Sequence, residues 1–239
     1  MTKQRTTIVF LHGFIASKKY WRKLLPLFDE TLYDCITIDL LGHGTFTRKK
    51  DSSYDWNAHL THVSEQIDKS TSSEKLVLVG HSMGSMLALE YAIKYPDRVV
   101  STILVHPPLF LDGKQARSDV HATSRFYRYL VTSKYRQIGW FILQLLPNRV
   151  SRHGSKARNL TLQNVIYQPT VVDNLRDYTE PALVLVGRDD RPIYHENIKT
   201  MRLGSGVQLE VIPTGHHSGL NQPELLHRKI EGFIKNIPS

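Results

Sequence analysis

The sequence predicts an α/β fold, a mostly parallel sheet of about six strands flanked by helices and interrupted by an inserted helical cap. Three observations carry this. Short runs rich in Val, Ile and Leu recur without strict alternation, as in strands buried on both faces. Segments with helical spacing fall between most of them, so strand and helix alternate and right-handed crossovers follow. One gap, between the fourth and fifth runs, is far longer than a single crossover needs.

In chain order, the first apolar run covers residues 6–11, and helical spacing follows over 20–28. The second run is 33–40, followed by a helix over 56–70. The third, 75–80, leads at once into helical spacing over 83–95, and the fourth is 99–106. Residues 110–178 read as the insertion, whose Phe126-Tyr127-Arg128-Tyr129 and Trp140 to Leu146 stretches call for short helices. The fifth and sixth runs, 182–187 and 208–213, precede helices over 194–201 and 224–236. The expected organisation is therefore a core of 1–109 and 179–239 with a cap of 110–178.

The net charge of +9 is concentrated in one place. Between Asp112 and Arg158 ten Lys or Arg stand against two acids, which leaves the rest of the chain nearly neutral. A basic insertion without a recognition motif argues against nucleic-acid binding. It fits attraction of an acidic substrate, contact with an anionic membrane surface, or simply solvated helix faces. The single cysteine, Cys35, excludes an internal disulfide and a cysteine-based zinc cage, and its apolar run marks it as a core residue. No apolar stretch reaches the roughly 18 residues that span a bilayer. The expectation is a soluble, cytoplasmic protein with no cofactor and no metal; oligomeric state is not readable.

Gly80-His81-Ser82-Met83-Gly84 lies between an apolar strand and a helical pattern. That context defines a nucleophile elbow, a turn so tight that small residues are needed two positions either side of the serine. The amide of Met83, opening the helix, faces the same space and favours developing negative charge. A serine hydroxyl needs a base, and histidine is the side chain of suitable pKa. Of the twelve histidines His216 is best placed, since it follows the last strand in Thr214-Gly215-His216 and opens onto the same rim. His217 reads as a loop residue, and His81 as packing or bonding locally. The imidazole needs a carboxylate to fix its tautomer. Asp190 is preferred over Asp189, which is expected to bond nearby loop amides as turn aspartates do. The second oxyanion donor is expected from His12-Gly13-Phe14 after the first strand, with the Phe14 amide donating and His12 ordering the loop.

Together, His12-Gly13-Phe14, Asp39-Leu40-Leu41-Gly42-His43-Gly44, the Gly80 to Gly84 elbow, Gly187 to Asp190 and Gly215-His216 followed by Gln222-Pro223-Glu224 closely resemble the α/β-hydrolase superfamily. The likeness is to small members with a cap between the sixth and seventh strands, and it covers nearly all of the chain outside the cap. It implies that these pieces are the oxyanion loop, a structural turn, the nucleophile, the acid and the base, in that order. Two features depart from the family: the usual N-terminal antiparallel hairpin has no room before Thr6, and Ser85 stands where another glycine is common. His43 reads as a buried, hydrogen-bonded histidine of the structural turn.

The implied chemistry is acyl transfer to water through Ser82, His216 and Asp190, with a small-molecule carboxylic ester, thioester or lactone as substrate, amphiphilic and anionic if the basic cap recruits it. The resemblance equally implies two other uses of the same residues, hydrolysis of a carbon–carbon bond beside a ketone and a lyase step of menaquinone synthesis. From a different class, it implies a ligand receptor that keeps the triad and turns over slowly. Serine at position 82 argues against dehalogenase and epoxide hydrolase chemistry.

Overall fold

The computed structural model describes residues 5–46, 52–122 and 153–237. Six strands form one sheet: β1 (Thr6–Leu11), β2 (Tyr33–Ile38), β3 (Leu76–His81), β4 (Val99–Val105), β5 (Ala182–Gly187) and β6 (Val207–Ile212). Their order is β2-β1-β3-β4-β5-β6, and every neighbouring pair is parallel. All six carboxyl ends therefore lie along one edge.

The side-chain period of two sorts each inner strand between two cores. From β1, Val9 and Leu11 enter one cluster and Ile8 and Phe10 the other; from β3, Leu76 and Leu78 oppose Val77 and Val79. The first cluster is closed by α1 (Trp56–Ser70) and α2 (Met83–Lys94), through Leu60, Val63, Ile67, Met86 and Leu87. The second is closed by Trp21, Leu24 and Phe28 and by the C-terminal helix through Leu226 and Ile230. Neither face of the inner strands meets water, which is why these strands read as continuous apolar runs. At the edge, β6 is largely half-exposed, and its Gln208 and Glu210 are polar accordingly.

Between β4 and β5 the described part of the insertion is helical. It contains α3 (Gly113–Ala122), α4 (Ser155–Thr161) running into a π-helical turn at Leu162–Ile166, and α5 (Val171–Asp177). Val165, Ile166, Tyr167, Val171 and Leu175 join the first core cluster. The 126–129 and 140–146 stretches lie outside the described residues. The chain then continues through α6 (Pro192–Thr200), the short α7 (Ser218–Asn221) and α8 (Pro223–Lys235). No helix among the described residues is long and apolar enough to cross a membrane.

Three boundaries differ from the sequence reading for local reasons. The 20–28 segment forms two 3₁₀ turns, Lys18–Trp21 and Leu25–Leu27, instead of one helix, because Pro26 lacks an N–H and crowds the preceding turn. The second strand stops at Ile38, since Asp39 turns inward to accept from the amides of Lys18 (2.7 Å) and Thr45 (3.1 Å). The fourth stops at Val105, because His106 has φ 51° and leaves the extended region. Cys35 is half-buried on β2, and burial pushes its thiol up to about 12.

The start of α1 offers a local test. Asp55 is its N-cap, accepting from the Ala58 amide at 2.9 Å. Asp55→Ala is expected to cost about 1 kcal/mol, lowering Tm by roughly 2–4 °C in thermal unfolding, with no change in the near-UV signature of the core.

Candidate active site

Because the sheet is parallel, whatever follows a strand emerges at the same edge, and five such segments meet there. After β3 the chain reverses at Ser82, whose φ of 51° and ψ of −119° are outside the regions open to most L-residues. Holding that conformation costs of order 1–3 kcal/mol. The surroundings impose it. A Cβ on Gly80 would stand 2.3 Å from the Gly84 carbonyl oxygen, and one on Gly84 2.3 Å from that of Leu11. Strand, helix and the β1 loop thus meet without room for a methyl group. The Ser82 amide donates to Val105 at 2.9 Å, tying the turn to β4. From His81 to Leu89 every residue is buried except Ser82, which keeps partial access to solvent. Met83 begins α2, so its amide has no acceptor within the helix.

The loop after β1 lies against the turn. A Cβ on Gly13 would be 3.2 Å from the Ser82 Cβ and 2.8 Å from His81 Nδ1, so backbone alone fits there. His12 is fully buried; its Nδ1–H donates to the Gly13 carbonyl at 2.8 Å, and its Nε2 accepts from the Leu40 amide at 3.0 Å. Both nitrogens are used, so this imidazole orders the loop leading to the Phe14 amide. His43 packs edge-on against His12 and Phe14, and its Nδ1–H donates to the Leu41 carbonyl at 3.0 Å.

After β5 and β6 come the carboxylate and the imidazole. His216 Nδ1 lies 2.9 Å from Asp190 Oδ2, so its N–H donates to the carboxylate and Nε2 keeps a lone pair. The other Asp190 oxygen accepts from the Arg191 amide at 2.8 Å. The Asp190 side chain is 2 % exposed and that of His216 26 %, a buried carboxylate holding a half-buried imidazole. Burial pushes Asp190 up, but the hydrogen bond and electrostatic attraction of the His216 ring, joined by the Arg191 amide, outweigh it, so its pKa ends below the usual carboxylate value. Asp189 differs from expectation: it is exposed, and its backbone amide makes the loop bond, to Thr214 at 3.0 Å. His217 is exposed on the loop.

Two histidines at this edge were not selected from the sequence as parts of the site. His81 donates from Nε2 to the His216 carbonyl at 2.7 Å and stacks on Tyr20, with ring centroids 4.3 Å apart. His106, after β4, bonds to both the Gly187 amide and Ser218. The signal that located His216, a histidine directly after a strand, applies equally to His106. Among the described residues no group of three His, Cys, Asp or Glu is arranged to hold a metal ion. A cleft of about 550 Å³ lined by Thr179, Pro181, Gln208 and Arg228 sits at the opposite, amino end of β5 and β6, away from this chemistry.

Comparison with known proteins gives a consistent result. A family model described as "alpha/beta hydrolase fold" matches residues 6–174. The chain is 34 % identical over 112 residues to BODYGUARD 2 of Arabidopsis thaliana, whose name provisionally places it among lysophospholipases; the match covers 45 % of this chain and 24 % of that protein. The chain thus spans about a quarter of the length of that plant relative. A Bacillus subtilis protein provisionally named 2-succinyl-6-hydroxy-2,4-cyclohexadiene-1-carboxylate synthase is 26 % identical over 253 residues, covering 96 % of this chain and 90 % of its own. Among solved structures, MenH from S. aureus superposes with a TM-score of 0.75 at 22 % identity, covering 98 % of this chain and 94 % of that one.

The buried histidines make stability depend on pH. Burial lowers His12 and His106 to about 4 and His59 to about 3. In the unfolded chain each titrates near 6.5, so between about pH 6.5 and 4 unfolding takes up protons and stability rises with pH. Around pH 5 these three groups together give a slope of about 4 kcal/mol per pH unit. Urea titrations at pH 7, 6 and 5 should show the midpoint falling steeply; a flat profile would mean these imidazoles take up protons as readily in the folded protein as in the unfolded chain.

Proposed function

From the premise that this chain belongs to the alpha/beta hydrolase fold family, we propose that it is a serine hydrolase acting on a carboxylic ester, or a thioester or lactone, through Ser82, His216 and Asp190. The observation that carries the reading is the Asp190–His216 hydrogen bond at the edge where the strained Ser82 turn is held. A carboxylate that fixes Nδ1–H leaves Nε2 free to accept a proton, which is what a serine nucleophile requires.

In the first step His216 Nε2 takes the Ser82 hydroxyl proton as Oγ attacks the substrate carbonyl. Charge moves to the carbonyl oxygen, where the amides of Phe14 and Met83 donate to it; each such donor is worth about 10²–10³ in rate. Collapse of the tetrahedral intermediate expels the alcohol, protonated by His216, and leaves an acyl-Ser82. Water, deprotonated by His216, then repeats the sequence and releases the acid. Asp190 stays ionised throughout and stabilises the imidazolium. The insertion covers substrate choice; Lys114, Arg117 and Lys156 keep charge at its surface and favour an amphiphilic substrate with a negative group.

One alternative has a specific observation behind it. The near full-length likeness to the Bacillus subtilis synthase favours a lyase step, in which the same base removes a proton and water is not the acceptor.

Hydrolysis of p-nitrophenyl esters of graded acyl length, by the protein and by Ser82→Ala, tests the main reading: the substitution should abolish turnover. Asp190→Asn should lower kcat by about 10⁴-fold, because the wrong tautomer is then favoured. If the unaltered protein is as inactive as Ser82→Ala on every ester, ester hydrolysis falls and the lyase reading advances; turnover stalling near one event per molecule would instead mark a receptor. Raising ionic strength should raise KM for an anionic ester and leave KM for a neutral one in place, and equal salt response would remove the charge-based selection.

A further inference from the structure

We propose that His106 is a positioning residue that clamps the acid loop to the base loop, and so sets how Asp190 presents itself to His216. The inference rests on the hydrolase reading of Ser82, His216 and Asp190.

His106 is fully buried at the carboxyl end of β4, which, like β2, contributes no residue to the proposed triad or to the oxyanion donors. Its two ring nitrogens reach different loops. The Gly187 amide, where the acid loop begins, donates to Nδ1 at 3.0 Å. From Nε2 the N–H donates to Ser218 Oγ at 2.7 Å, two residues beyond the base. The tautomer is thereby fixed, with a lone pair on Nδ1, and the same Nδ1 lies 3.5 Å from Asp190 Oδ2, the oxygen that His216 holds. The ring is 5.8 Å from that of His216 and 6.1 Å from that of His81.

The close fit extends to the backbone. A Cβ on Gly187 would stand 2.5 Å from the Thr214 carbonyl and 3.1 Å from His106 Cε1, so the two loops and the ring meet without spare volume. His106 reaches this place only by adopting φ 51°, while its own amide donates to Leu185 at 2.7 Å. Burial, with the neighbouring His216, lowers its pKa to about 4 although Asp190 opposes that shift, so the neutral form that both bonds need is the one present at neutral pH. A side chain that needed only to fill the space would have no use for two directed bonds to separate loops.

The test is ester hydrolysis with full pH profiles for His106→Phe, which fills the volume and removes both bonds, for Ser218→Ala, and for the double variant. Loss of alignment should lower kcat about 10- to 100-fold with KM little changed. The acid limb of kcat/KM should move to lower pH, because a poorly presented Asp190 stabilises the His216 imidazolium less. The double variant should be no worse than His106→Phe alone, as for two groups acting through one bond. Unchanged kcat and acid limb in His106→Phe, or losses that simply add in the double variant, would overturn the proposal. If His106→Phe does not fold, Ser218→Ala decides by the same two readouts. Failure of the hydrolase reading is distinguishable, since there the unaltered protein would hydrolyse every ester no faster than Ser82→Ala, whereas failure of this proposal leaves the unaltered protein active and His106→Phe equal to it.

Discussion

Everything at the site depends on one crowded junction, where the carbonyl of Leu11, the backbone of Gly84 and the turn at Ser82 approach within van der Waals distance. Three elements distant in sequence can meet there only if the strand ends and the helix begins in the space of one residue. Ser82 takes the strain, the flanking glycines make it sterically possible, and the large apolar core under α2 holds it in place. Met83 to Leu89 are all buried, so relaxing the turn would mean lifting that helix off the sheet. The strain and the exposure of the serine have the same origin.

A parallel sheet supplies the remainder by geometry. Loops from β1, β3, β4, β5 and β6 leave one edge, and buried imidazoles cross-link them: His12 joins the β1 loop to the segment after β2, His81 joins the turn to the base loop, and His106 joins the acid loop to the base loop. Histidine suits this work because its neutral ring donates at one end and accepts at the other: His12 satisfies a carbonyl and an amide, and His106 an amide and a hydroxyl, in places where water does not reach. Carboxamides offer the same pair of functions but with a floppier stem and less apolar surface for packing.

Much of the fold was legible because its strands are buried on both faces and its chemical residues follow strands directly. The elbow lies between the expected strand and the expected helix, and Asp190 and His216, picked out by position alone, are hydrogen-bonded. Where the reading failed, the cause was local and non-periodic. Pro26 split the 20–28 helix into two turns, and Asp39 and His106 ended strands early by turning inward, which hydrophobic period does not encode. Asp189 was expected to use its side chain in the loop and uses its amide. His106 was missed because its partners, Gly187 and Ser218, are 81 and 112 residues away, and no short motif records such a meeting.

The insertion enters after His106 and returns before β5, and a parallel pair of strands must in any case be joined by a long crossover. Since the entropic cost of a connection grows only with the logarithm of its length, each doubling adds about 0.6 kcal/mol. A change in the length of this one crossover is therefore inexpensive wherever it leaves Val165, Tyr167, Val171 and Leu175 packed on the core, and the register of β4 and β5 then stays as it is. If the insertion selects the substrate as proposed, selectivity and reactivity are separately heritable: what enters the site can drift over generations without disturbing the residues that would act on it.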